Sequence, residues 1–151
     1  MRPFLRAMPI VLLVVLVSSR VVLTQTKAPQ TESKETAVLA RGRYIVDRVS
    51  MCGDCHTPRN EKGELDMARY LCGADMGVQP IVPIPVFNRI ASDITAKGLA
   101  GWSIEDLTKA FETGTRPTGE PFRPPMPGYR MTRRDAHAVA RYLKSVDTEK
   151  K

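Results

Sequence analysis

Two cysteines and a histidine fall within five residues, Cys52-Gly-Asp-Cys55-His56, inside the stretch Ser50–Arg59. Thiols and an imidazole so spaced can hold zinc, form a reversible disulfide, fasten haem, or occur by chance. Structural zinc needs four Cys or His ligands, usually as two spaced pairs. Beyond the motif only Cys72 and His137 are left, and adjacent Cys55 and His56 cannot easily reach one tetrahedral ion. A thioredoxin-like disulfide opens a helix after a buried strand. Here the motif follows a helical pattern, and Pro58 cuts short any helix behind it. In covalent haem attachment the two thiols add to the two vinyl groups and the next histidine binds the iron. One haem c, linked through Cys52 and Cys55 with His56 on the iron, is the reading these residues support.

The second axial position decides what such an iron does. His137 lies between Arg133, Arg134 and Arg141 and reads as a solvated surface histidine. Met51 adjoins Cys52, and Met67 and Met76 lie in loops without distinguishing context. Met126 stands in "RPPMPGY", where prolines stiffen the loop and remove competing backbone donors. It is the expected metal ligand, with Met131, beside the helix cap Thr132, in reserve. With His56 and Met126 both on the iron, the chain would carry electrons. With an open distal site it would instead be a haem enzyme or gas-binding sensor.

The elements that must hold these residues are short. Val38, Leu39, Gly42, Ile45, Val46 and Val49 recur at three- and four-residue steps and predict a helix from Ala37 to about Ser50. Gly42 costs that helix about 1 kcal/mol relative to alanine, which is offset where another helix approaches closely. Ser103 with Asp106 reads as a capping box opening a helix that carries Ile104, Leu107, Ala110 and Phe111 and ends near Gly114. Thr132 caps a final helix with Ala136, Val139, Ala140 and Leu143 on one face. Proline-rich irregular segments separate these helices, and no strand is evident. The fold class is all-α, three to five short helices with long loops, and Cys72 reads as a small buried hydrophobe.

Composition agrees with a domain that borrows its core. Aromatics make up 6% of 151 residues while prolines number 12, so side chains alone fill little interior, and long ordered loops usually wrap something or act. The formal charge is +7, of which three arginines lie in the first 24 residues. The remainder is mildly basic without a dense basic run, which gives no support to nucleic-acid binding. Residues 1–23 combine Arg2 and Arg6 with an apolar run from Ala7 to Val17, the pattern of a signal peptide or an N-terminal anchor through residues 7–23. Either places residues 37–147, behind a polar tether of 24–36, in the periplasm or on the outer face of the cytoplasmic membrane.

"RGRYIVDRVSMCGDCHTPR", "GLAGWSIEDL" and "PFRPPMPGYRMTRRDAHAVARYLKS" together resemble the class I cytochrome c family. More narrowly, they are similar to the cytochrome c subunits of bacterial membrane-bound alcohol, aldehyde and gluconate dehydrogenases. The resemblance runs from about Ala37 to Val146. It implies a class I cytochrome c fold around one haem, with the first and last helices crossing at Gly42 near Tyr142. It also implies that Pro58 and its backbone orient the imidazole and that Arg59 and Trp102 serve the haem propionates. The implied activity is one-electron transfer, with a dehydrogenase, a terminal oxidase or another cytochrome as partner. Those subunits usually carry three haem motifs and this chain carries one, matching a single haem domain. "FNRIASDIT" follows the family's Asn-Ile-Thr-like run only loosely, at Ile90, Ser92 and Asp93.

Overall fold

The computed structural model describes residues 30–147, so the expected leader and the first part of the tether lie outside the described residues. The chain runs α1 (Gln30–Tyr44), a π-helical turn (Ile45–Val49), α2 (Cys52–His56), a 3-10 turn (Met67–Arg69), β1 (Ala74–Asp75), β2 (Ile90–Ala91), α3 (Ile104–Thr113) and α4 (Arg133–Leu143). The architecture is mostly helical. It differs from the expectation in a small antiparallel pair, β1 against β2, with Ala74 opposite Ala91 and Asp75 opposite Ile90. Two residues per strand leave no alternation to read, so propensity could not reveal the pair.

α3 and α4 pack together as the main helical contact. Both begin as their side chains dictate. Ser103 Oγ accepts from the Asp106 amide, the Asp106 carboxylate accepts from the Ser103 amide, and Gly114 ends α3 at φ 73°. Thr132 accepts from the Asp135 amide at the start of α4. Leu107, Ala110 and Phe111 of α3 meet Ala136, Val139, Ala140 and Leu143 of α4 in the core.

α1 starts at Gln30, ahead of the expected Ala37, and its regular part stops at Tyr44. The next turn is wound wider, with the Ser50 amide donating to the Ile45 carbonyl at 2.8 Å. Met51 then takes the left-handed conformation, φ 46° and ψ 44°. That reversal starts α2 as a new helix instead of a continuation.

α4 buries Ala138 as well as its apolar stripe, and the reason lies on α1. A Cβ on Gly42 would sit 2.0 Å from the Ala138 carbonyl oxygen and 2.7 Å from Tyr142 Cβ. The crossing therefore brings backbone against backbone, which only glycine permits. Arg41 donates to Asp135 at 2.9 Å beside this contact.

Candidate cofactor site

Within α2, Cys52 is buried, Cys55 exposed and His56 buried. Burial pushes the Cys52 thiol up to about 11. No disulfide joins Cys52, Cys55 or Cys72. Among the described residues, no three His, Cys, Asp or Glu groups gather into a metal cage.

The His56 ring is held by a group remote in sequence. Its Nδ1–H donates to the Ser92 carbonyl at 2.7 Å. A carbonyl can only accept, so the proton sits on Nδ1 and Nε2 keeps its lone pair. Burial lowers the pKa of the ring, and the bond to Ser92 opposes that shift without cancelling it. A neutral imidazole with a bare Nε2 is what a metal-binding histidine presents.

Ser92 reaches the ring because β2 passes tightly over the turn before β1. Gly73 has φ 84°, and a Cβ there would lie 2.8 Å from the Asp93 amide nitrogen and 2.9 Å from the Ala91 carbonyl oxygen. Its amide donates to the His56 carbonyl at 2.8 Å. Next to it, Leu71 is fully buried, and its amide donates to Thr57 Oγ1 at 3.1 Å. Thr57→Val is expected to leave that amide unpaired and cost about 2 kcal/mol. Urea unfolding of the variant checks this; an unchanged midpoint would refute it.

Cys52, Cys55 and His56 line a cavity of about 500 Å³. Trp102, Met126 and the rings of Phe111, Phe122 and Tyr129 line it too. Two ties bring the Met126 loop to this wall. The Tyr129 hydroxyl donates to the Ser50 carbonyl at 3.3 Å, just ahead of α2. The Asn88 amide donates to the Pro124 carbonyl at 2.8 Å. Trp102 is held by Lys144, whose Nζ donates to the carbonyls of Leu99 and Trp102, both at 3.0 Å.

The expected residues do not all meet here. Met131 is off the cavity wall, donating its amide to the Phe111 carbonyl and packing on the core. Met76, which had no distinguishing context in sequence, is on the wall with Met126, but only Met126 also packs against the core. His137 is exposed on α4. Pro58 and Arg59 are both off the wall. The Pro58 carbonyl accepts from the Asp66 amide and the Arg59 guanidinium donates to the Gly63 carbonyl at 2.8 Å, while the His56 ring donates to Ser92. The basic groups on the wall are Arg116 and Arg123. Arg116 pairs with Glu120, while its buried Nε has no partner among the described residues.

A second cavity, of about 480 Å³, lies behind α2 and is lined by Asp47, Tyr70 and Tyr142. The Tyr70 hydroxyl donates to the Asp47 carboxylate there. It contains neither the motif cysteines nor His56.

No family model matches the chain. The gluconate 2-dehydrogenase cytochrome c subunit of Pantoea cypripedii is 34% identical over 134 residues, 80% of this chain and 29% of its own length. The diheme cytochrome c-type protein of Cereibacter sphaeroides is 32% identical over 111 residues, 70% of this chain and 34% of its own. The fructose dehydrogenase cytochrome subunit of Gluconobacter japonicus is 38% identical over 74 residues, 49% of this chain and 14% of its own. The chain thus spans at most 34% of the length of these relatives.

Proposed function

We propose, from the premise that this chain bears a cytochrome c family resemblance, that it is a single-haem electron carrier of the class I cytochrome c fold. The observation that carries the reading is the His56 ring, fixed by Ser92 with Nε2 left bare beside two motif cysteines on one cavity wall. The residues present fit haem c. Cys52 and Cys55 would fasten its edge, and the apolar wall suits a porphyrin face. Met126 offers a thioether, and Arg116 and Arg123 offer cations to its carboxylates.

When bound, the haem supplies Fe(II)/Fe(III) cycling, with no substrate bond made or broken. The chain's part is to hold and insulate it. His56, oriented by the Ser92 carbonyl, would offer the Nε2 lone pair to the iron. Met126 would supply a thioether ligand to the iron, which would favour the reduced state and raise the potential. Trp102 and the aromatic cluster keep water from the face.

The proposed setting is the periplasm or the outer face of the cytoplasmic membrane, between a dehydrogenase and an oxidase or further cytochrome. Among the described residues no helix is long and apolar enough to cross a membrane; residues 7–23 are the proposed leader or anchor. Intact-mass measurement of the protein purified from its host tests the reading. One covalent haem is expected, lost in Cys52→Ala/Cys55→Ala. A mass without haem in the unmodified chain overturns the proposal.

A further inference from the structure

From Met76 to Asn88 the chain reads "MGVQPIVPIPVFN", thirteen residues without a charge. This segment leaves from β1 and returns into β2. Its base is closed by the Met76 amide on the Arg89 carbonyl at 3.0 Å and by Arg89 against Asp75 at 2.5 Å. Beyond that base it turns its aliphatic side chains outward. Ile81 is fully exposed, Val86 is 69% exposed, and Val82 and Ile84 are exposed with them. Val86 is held at φ 56°, a conformation that a β-branched residue rarely adopts.

A water-facing loop is ordinarily polar, and a contiguous exposed apolar patch marks an interaction surface. Three prolines, Pro80, Pro83 and Pro85, fix much of this backbone before anything binds. Docking on it would therefore cost little ordering entropy. The loop also adjoins the cofactor cavity. Met76 at its start, Asn88 at its end and Ile90 just beyond all stand on the cavity wall. Asn88 further binds the Pro124 carbonyl, two residues before Met126. A body seated on this loop sits at the cavity's edge.

Resting on the carrier reading, we infer that residues 78–86 are the docking surface for a redox protein that presents an apolar, uncharged face. Two observations favour that occupant. The patch meets the cavity, where an electron would cross. The relatives matched by this chain carry it as at most 34% of a longer cytochrome subunit, so in them neighbouring chain is on hand to cover such a surface. A lipid surface fits less well, because the basic residue that directly flanks the patch, Arg89, is paired with Asp75, and the patch carries no Trp or Tyr anchor. Because the contact carries no ion pair, its strength should rise with salt or stay constant.

The test uses the full-length haem-loaded protein and its host's membranes, oxidising an alcohol, aldehyde or sugar acid, as reductant. Ile81→Asp, at a fully exposed position, is expected to slow reduction by the membranes at least tenfold. Reduction by ascorbate should be unchanged. Val49→Asp, an equivalent change at an exposed position on the π-helical turn and outside residues 78–86, is expected to match the parent. Wild-type rates for Ile81→Asp overturn the docking surface while leaving the carrier reading intact. An unmodified chain lacking haem overturns the carrier reading and the surface with it. Flotation of the parent, but not of Ile81→Asp, with phosphatidylethanolamine/phosphatidylglycerol vesicles would assign the loop to a membrane. A dimer by sedimentation that Ile81→Asp dissociates would assign it to a second copy. Either result overturns the proposal.

Discussion

Gly42→Ala is expected to destabilise the protein by about 3 kcal/mol, at the upper end of what overpacking costs. The added methyl meets the Ala138 carbonyl oxygen at 2.0 Å, and a backbone atom cannot rotate away as a side chain can. The helices must separate, loosening Ile45 and Val46 from α4 just before the motif. With a urea slope of about 1.5 kcal/mol per molar, the midpoint should fall by roughly 2 M. A shift under about 0.5 M would mean that the crossing is softer than its geometry implies. Ala138→Gly leaves the Ala138 carbonyl in place and should not rescue the variant.

Met126→Ala is expected to change chemistry more than stability. Truncating a methionine costs about 2 kcal/mol where the site is only partly buried, as it is here. With Met126 as the proposed iron ligand, the larger expected effect is a site left open to added ligands. The reduced variant should take up carbon monoxide close to stoichiometrically, where the parent takes up almost none, and its potential should drop. Met131→Ala should behave as the parent in both assays, since Met131 is off the cavity wall. Met76→Ala discriminates further, because Met76 shares the wall. If Met76→Ala opens the iron and Met126→Ala does not, the axial assignment passes to Met76. If the unmodified protein already binds carbon monoxide readily, the site is an open one and the carrier reading fails.

What could be read from the sequence was whatever is encoded over short spans. The caps Ser103 and Thr132, the end of α3 at Gly114 and the buried face of α4 follow from spacings of three and four residues. They appear in the fold as read. Gly42 was legible as a close approach because a glycine inside a helical pattern needs a reason. The orienting partner of His56 was not legible, because a backbone carbonyl has no side-chain signature and Ser92 lies 36 residues away. The nearest local signal is Gly73, whose positive φ and crowding fix where β2 must pass. Arg59 is assigned to a propionate only by the family resemblance. In the fold its guanidinium bonds the Gly63 carbonyl within the turn from Asn60 to Glu64.

The π-helical turn between Gly42 and Cys52 sets a phase relation between two requirements that never touch. Gly42 must face α4, and Cys52 must face the cavity. An extra residue in a helix rotates everything after it by about 100°, and the wide turn at Ile45–Val49 absorbs such a rotation before Met51 reverses the chain. The length of that stretch is therefore an angular quantity as much as a linear one. Exposed side chains there can vary while the number of residues cannot. Among related chains, substitutions should accumulate at exposed Arg48 and Val49, and single-residue gaps should be absent between the glycine and the first cysteine.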